Sequence, residues 1–187
     1  PKENDITFYD NSGSGYANGI DMIYKAKLGS LDGWISYGYI NTKRDWMDFT
    51  GLSSSSYDIT HNFTLVVKYP LTQNLQAGIN AKYATGRPFT PVVSLNFIAG
   101  RGIYEPIFGS TNSARYQDYT RVDLRLTWFD QLFSNPFLLY IEGLNILNIN
   151  NIFGYHYSKD YATKEDIKSY FGRRTVVVGC MITIGGM

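Results

Sequence analysis

Residues 121–128 read Arg-Val-Asp-Leu-Arg-Leu-Thr-Trp, and a polar side chain alternates with an apolar one along the whole stretch. A period of two residues is typical of a β-strand, because neighbouring side chains of a strand point to opposite faces. The polar row is Arg121, Asp123, Arg125 and Thr127, and the apolar row is Val122, Leu124, Leu126 and Trp128. The stretch therefore predicts a strand with one charged face and one apolar face.

The same alternation recurs along the chain and predicts an all-β protein. It is found in residues 17–28, 35–39, 63–69, 75–83 and 176–184. Residues 137–148 change parity, and a β-bulge near Gly143 would reconcile their two apolar rows. With a short opening strand near residues 6–9, we predict about eight strands, and one helical turn within residues 163–170.

The connections between the predicted strands alternate in length. Tight turns are predicted at residues 29–30, 70–72 and 130–135, whereas residues 45–56, 87–115 and 149–171 form long polar or glycine-rich segments. This rhythm indicates an antiparallel meander with short turns at one end of the sheet and long loops at the other.

Composition excludes several classes of protein. The 187 residues suffice for one domain, and the formal net charge of +1 provides no field that attracts nucleic acid, so we predict no nucleic-acid partner. Cys180 is the one cysteine, which excludes an intramolecular disulfide framework. No apolar stretch approaches the roughly 18 to 20 residues of a membrane-spanning helix.

Alternation alone does not decide whether the apolar face points into a soluble core or out into lipid. The chain has 16 tyrosines, many of them near predicted strand ends, where aromatic rings border the apolar band of a membrane barrel. Strand segments of roughly 10 to 14 residues also match the ~9 to 11 needed to cross hydrocarbon at a tilt. We predict a membrane barrel. The soluble alternative, a barrel or sandwich, predicts burial of Leu124, Leu126 and Trp128.

Several short segments together resemble the late barrel strands of TonB-dependent outer-membrane receptors of Gram-negative bacteria. The resemblance runs along most of the chain. It is carried by Ala17–Asp21, Trp34–Tyr37, Ala84–Phe89, Tyr119–Arg125, Asn145–Asn148, Phe153–Tyr155 and Phe171–Arg174, in this order. The last strand departs from the family pattern, because barrel-assembly signals typically close on an aromatic residue and this chain closes on Ile184-Gly185-Gly186-Met187.

The resemblance implies a 22-stranded barrel that is filled by an N-terminal plug and imports a scarce nutrient with energy delivered through TonB. We accordingly expect antiparallel transmembrane β-barrel strands that form part of such a barrel. Residues 1–187 are then a single β-barrel domain or a C-terminal barrel fragment, in which we recognise neither a plug domain nor a TonB box. A self-contained small outer-membrane barrel with a structural, adhesive or lipid-modifying role is the alternative.

The same resemblance implies a location and a set of partners. The expected location is the cell outer membrane, with outer-membrane lipid and lipopolysaccharide around the barrel. The further partners are the rest of the receptor with its plug domain, TonB through that plug, and a small nutrient ligand whose identity the sequence does not specify.

Six charged residues are predicted on the lumen side of the strands, where opposite charges on adjacent strands can pair. They are Asp21, Lys25, Arg121, Asp123, Arg125 and Glu142. The two interpretations are a polar pathway and a structural charge ladder.

A second group of candidates lies in the outer loops, where guanidinium groups can hold a carboxylate or phosphate and aromatic rings can stack on a ligand. The candidate ligand-binding residues are Trp46, Arg87, Arg101, Tyr104, Arg115 and Tyr155. Contacts with lipopolysaccharide phosphates and ordinary loop solvation are alternative explanations for the arginines, and Tyr116 is assigned to the aromatic girdle.

No catalytic motif is recognised in the sequence. His61 and His156 are the two histidines, and neither lies in a readable nucleophile–base arrangement or a metal-ligand spacing. We therefore predict no enzyme activity, no catalytic residue, no metal site and no cofactor.

Overall fold

The computed structural model describes residues 13–45, 51–168 and 172–184, and every regular element in these ranges is a β-strand. The predicted all-β class is therefore confirmed. No described segment forms a helix of the length and apolar character needed to cross a bilayer. The strands are β1 (Gly15–Leu28), β2 (Leu31–Arg44), β3 (Ser53–Ser54), β4 (His61–Pro70), β5 (Leu75–Ala84), β6 (Pro88–Phe89), β7 (Val92–Ile98), β8 (Ile103–Phe108), β9 (Ala114–Arg115), β10 (Tyr119–Leu132), β11 (Asn135–Leu144), β12 (Ile152–Tyr157), β13 (Lys164–Lys168) and β14 (Thr175–Ile182).

Seven long strands form one meandering sheet in the order β1-β2-β4-β5-β10-β11-β14, and each is antiparallel to its neighbours. The short strand β3 pairs with the end of β2. Three two-stranded sheets, β6–β9, β7–β8 and β12–β13, lie in the connections. The predicted opening strand at residues 6–9 falls outside the described residues.

Short turns join the long strands at one end of the sheet, as predicted. Two-residue turns connect β1 to β2 and β10 to β11, and residues 71–74 connect β4 to β5. The connections at the opposite end are long, and they carry the small sheets. We call these two ends the turn end and the loop end.

Two local predictions are wrong. Residues 164–168 form β13, paired with β12, instead of a helical turn. All five residues of β13 are exposed. Because the strand has no buried face, its sequence lacks the alternation of apolar and polar residues by which a strand is recognised. The register of β11 passes Gly143 without a bulge. The alternation of apolar residues is interrupted because β11 ends at Leu144 and the chain turns at Asn145, which has a φ of 49°.

The main sheet exposes its apolar face and covers much of its polar face. On β10, the exposed fractions of Leu124, Leu126 and Trp128 are 46%, 44% and 43%, whereas those of Asp123 and Thr127 are 4% and 6%. Among the described residues no large hydrophobic side chain is buried. The three apolar side chains that a soluble barrel would bury are therefore exposed.

The sheet has two open edges. Strands β1 and β14 end the strand order, and no pairing between them occurs within the described part of the chain. Barrel closure is accordingly not found in these ranges, and the main-chain groups on the outer edges of both strands are available for pairing with further strands.

Tyr140 on β11 and Gly179 on β14 make a close contact across neighbouring strands on the polar face. The two residues are register partners, and a Cβ at position 179 would lie 2.5 Å from the Tyr140 ring. The guanidinium carbon of Arg125 lies 3.8 Å from the centroid of the same ring. Glycine at position 179 therefore allows Tyr140 to lie flat across β14, within reach of Arg125.

We expect Gly179→Ala to lower the free energy of unfolding by about 1–3 kcal/mol, because the added methyl group displaces the Tyr140 ring. The matched control is Gly78→Ala on β5, also on the polar face, where the nearest atoms to an added Cβ are 3.8 and 3.9 Å away. Urea unfolding measures both variants. Equal stability of the two variants would contradict the contact.

The two tight turns differ in backbone conformation. In the β10–β11 turn, Phe133 and Ser134 both have positive φ angles, 52° and 63°. In the β1–β2 turn, Gly29 has a φ of 59°, and Ser30 is not among the residues with positive φ. Two positive φ angles define a type I′ turn, which usually has glycine at its second position.

We expect Ser134→Gly to raise the free energy of unfolding by about 1 kcal/mol, because glycine adopts positive φ without the steric cost of a Cβ. Ser30→Gly makes the same substitution at the equivalent position of the other turn and provides the control. Thermal unfolding compares them, and a gain at position 30 but not at position 134 would refute the assignment of the turn type.

Candidate functional site

Arg115 joins three segments at the loop end of the sheet. Its Nη1 donates hydrogen bonds to the carbonyl oxygens of Asp58, at 2.8 Å, and Gly86, at 3.0 Å. Its Nη2 lies 3.5 Å from the Asp58 carboxylate, which is 3% exposed as a residue. A buried carboxylate requires such a partner, so this guanidinium stabilises the arrangement of the loops.

Asp118 makes a second connection, just before β10. Its Oδ2 accepts a hydrogen bond from the Tyr83 hydroxyl at 2.7 Å, and its Oδ1 accepts one from the Gly86 N–H at 2.9 Å. These bonds, with that from Tyr83 the larger cause, lower the pKa of the Asp118 carboxyl below its usual value. Gly86 itself has no room for a side chain, because a Cβ there would overlap the Tyr116 carbonyl group.

Asn112 fixes the opposite side of the same region. Its side-chain Nδ2 donates to the Ser54 carbonyl oxygen at 2.7 Å and to the Ser56 hydroxyl at 3.3 Å. Its main-chain N–H donates to the Thr90 hydroxyl at 3.0 Å. Segments that are far apart in sequence are therefore held around a common space.

That space is a cleft of about 500 Å³ at the loop end, within the usual range for a small-molecule site. Its aromatic lining consists of Phe89, Phe108, Tyr116, Tyr155, Tyr157 and Tyr161. Its polar lining consists of Ser56, Arg87, Thr90 and Asn112. We refer to it as the aromatic cleft.

Three rings form the centre of the aromatic cleft. Phe89 and Tyr116 stack with centroids 4.4 Å apart and planes at 23°. Tyr155 lies 5.4 Å from Phe89, edge-on, and 5.3 Å from Tyr116. The ammonium group of Lys164 lies 4.0 Å from the centroid of Tyr155, so one cation already contacts this cluster.

Arg87 is the one charged residue in the described lining of the aromatic cleft. It is exposed, and one of its nitrogens, Nη2, donates to the Phe153 carbonyl oxygen at 3.5 Å. Burial raises the pKa of the neighbouring Tyr116 hydroxyl, and the positive charge of Arg87 opposes that shift. The Tyr116 hydroxyl consequently stays protonated near neutral pH and can donate a hydrogen bond.

The structure brings only part of the predicted loop group into the aromatic cleft. Arg87 and Tyr155 line it, whereas Arg101 lies at the β7–β8 turn and Tyr104 contacts Phe97, with centroids 4.9 Å apart and planes tilted by 45°. Trp46 falls outside the described residues. Tyr116 belongs to the cleft, although its sequence context suggested a girdle residue.

Sequence reasoning missed several lining residues. They are Ser56, Phe89, Thr90, Phe108, Asn112, Tyr157 and Tyr161. The density of aromatic residues in the long segments was the available signal, but it does not say which rings meet.

The six predicted lumen residues all occupy the polar face of the main sheet, as the register of the strands requires. On β10, Arg121 Nε donates to Asp123 Oδ1 at 2.7 Å, so this pair lies within one strand. Arg125 on β10 and Glu142 on β11 form a looser pair at 3.9 Å. Asp21 and Lys25 are exposed on the edge strand β1.

Comparisons of the chain with protein-family models, with curated proteins and with solved structures find no match. In the described ranges, no three His, Cys, Asp or Glu side chains come together as a metal-binding group. The assignment of function accordingly rests on the sequence and on the geometry of the fold and cleft.

We expect Asp118→Asn to weaken the acid dependence of stability. Because the folded-state pKa of Asp118 lies below its ordinary value of 3.8, its contribution is present above that pH and is lost as the pH falls through the folded-state pKa. Unfolding midpoints measured on acidification should therefore decline less in Asp118→Asn than in the unmodified chain. Tyr83→Phe removes one of the two hydrogen bonds and should give an intermediate decline. Identical acid profiles of all three proteins would contradict this role.

Proposed function

We propose that this chain is an outer-membrane β-barrel region of a TonB-dependent receptor, which takes part in energised uptake of a nutrient across the outer membrane. The single observation that carries the proposal is the reversed distribution of side chains on the main sheet. Leu124 and Leu126 are exposed while Asp123 and Thr127 are buried, which is the opposite of a water-soluble fold. Exposed apolar area costs about 25 cal/mol per Å² in water, and a lipid environment removes that cost.

The arrangement of aromatic residues on the apolar face supports a bilayer as that environment. Val67, Ile79 and Leu124 are successive cross-strand partners in the middle of the face. Towards the loop end lies a row of Tyr37, Phe63 and Tyr83, again successive partners. Towards the turn end lie Tyr69 and Trp128, on β4 and β10. Aromatic rows on both sides of an aliphatic band are typical of outer-membrane barrels.

The two open edges favour a larger barrel over the self-contained alternative. In hydrocarbon, each unpaired main-chain N–H or C=O group costs several kcal/mol, so β1 and β14 both require partner strands. Seven long strands in an open sheet are compatible with a sector of a wide barrel. We therefore assign the chain to a sector whose remaining strands and plug belong to the rest of the receptor.

The assignment to the TonB-dependent class depends on the resemblance of the sequence. Two of the segments that carry this resemblance lie at the loop end. Ala84–Phe89 runs from β5 into the aromatic cleft, and Tyr119–Arg125 begins β10. In this proposal the loop end faces the exterior, where the aromatic cleft meets the nutrient. Lipid and lipopolysaccharide surround the apolar face, and TonB acts through the plug.

Refolding of the full chain tests the membrane assignment. The chain is diluted from denaturant into detergent micelles, lipid vesicles or plain buffer, and is followed by heat-modifiable gel mobility and β-type circular dichroism. We expect folding only with an amphiphile, with the open edges of β1 and β14 paired either by closure of the sheet or between copies of the chain. A monodisperse β-protein in plain buffer would overturn the proposal.

We expect Leu124→Lys to destabilise the folded chain in lipid vesicles by about 2–4 kcal/mol, because it places a charge near the middle of the apolar face. Gln76→Lys introduces the same charge on the polar face of β5 and should be tolerated. Urea titration in vesicles measures both. In a water-soluble protein Leu124→Lys would instead be neutral or would improve solubility, so that result would count against a lipid-facing row.

A further inference from the structure

The aromatic cleft has a chemistry specific enough to name a class of ligand. We infer that it binds a carboxylate carried on a six-membered ring, and that Arg87 is the residue that selects the charge. This inference rests on the proposed function, since it specifies the nutrient that the loop end would take. Two sources share this chemistry, an acidic saccharide and an aromatic acid.

The walls of the cleft favour a flat or ring-shaped ligand. Six of its lining side chains are aromatic, and aromatic rings pack favourably against other rings. Tyr157 and Tyr161 form a second ring pair, with centroids 5.6 Å apart, beside the central cluster of Phe89, Tyr116 and Tyr155. A cleft of about 500 Å³ accommodates one or two six-membered rings.

The charge in the cleft favours an anion. Arg87 is exposed, uses one nitrogen in a single 3.5 Å hydrogen bond, and has no carboxylate beside it in the described lining. Arg115 provides the contrast, because its guanidinium is paired with Asp58 and bonded to two carbonyl groups. The free donors of Arg87 match the two oxygens of a carboxylate, which guanidinium groups bind in a bidentate manner.

The remaining polar groups suit the other substituents of such a ring. Ser56 and Thr90 contribute hydroxyl groups to the lining, and the Tyr116 hydroxyl is a protonated donor. Lys164, whose ammonium group contacts Tyr155, is not among the lining residues, so Arg87 is the one cation in the described lining. A phosphate group would bring a charge of about −1.5 to −2, and this one guanidinium would leave much of it unpaired. A carboxylate carries a single charge and is matched by Arg87 alone.

The test uses the full chain refolded in detergent and isothermal titration calorimetry. The probes are galacturonate with its neutral methyl ester, salicylate with the neutral salicylamide, and glucose phosphate. We expect the carboxylate of at least one pair to bind about tenfold more tightly than its neutral counterpart, because a charge-assisted bidentate pair is lost in the neutral compound. Binding of galacturonate alone identifies an acidic saccharide, and binding of salicylate alone identifies an aromatic acid.

Variants at position 87 assign the selectivity. Arg87→Gln should remove the tenfold difference, and Arg87→Lys should recover part of it because it keeps the charge without the planar fork. Arg101→Gln, at the β7–β8 turn outside the cleft, removes the same charge and should leave binding unchanged. Heat-modifiable mobility confirms that each variant is folded.

The outcomes separate this inference from the proposed function. Three results in a chain that folds with detergent would overturn the ligand class and leave the membrane assignment intact. They are equal affinity for each acid and its neutral compound, a preference for glucose phosphate, and no binding of any probe. Unchanged selectivity in Arg87→Gln overturns the role of Arg87. Carboxylate binding by a chain that folds in plain buffer supports the cleft chemistry and rejects the membrane function.

Discussion

The apolar face of the main sheet has no protein layer packed against it among the described residues, and the rest of the structure depends on that arrangement. Because Leu124, Leu126 and Trp128 are exposed, the side chains of the opposite face provide the buried interactions. Those interactions are hydrogen bonds and ion pairs rather than an apolar core. The fold is therefore determined by main-chain pairing between strands and by the satisfaction of polar groups.

Asp123 illustrates how the polar face controls the loops. It is 4% exposed, so its charge requires partners, and it receives hydrogen bonds from Arg121 Nε and from the Asn145 N–H. Asn145, which is fully buried, in turn bonds through its side chain to Ile149 and to the Gly172 carbonyl. One buried carboxylate on β10 thus fixes the end of β11 and, through it, the long segment that leads to β14.

The sequence predicts the main sheet well because the determining pattern is local. A polar and an apolar residue alternate within each long strand, as in residues 121–128, and short turns separate pairs of strands. The aromatic cleft depends on contacts of another kind. Arg87 and Phe153 are 66 residues apart, and Asn112 and Ser54 are 58 apart. A repeat within one strand carries no information about such contacts, and a strand exposed on both faces, such as β13, lacks the alternation that identifies a strand.

Arg87 and Arg115 show why residue type alone does not determine a role. Both are loop arginines, and both were reasonable candidates for binding an anion. Asp58 distinguishes them, because this carboxylate is 3% exposed and would be an unpaired buried charge without Arg115. No carboxylate lies beside Arg87 in the described lining of the aromatic cleft, which it shares with six aromatic side chains. The guanidinium without a carboxylate partner among the described residues is therefore the one we propose for ligand binding, and this difference arises from tertiary contacts between segments distant in sequence.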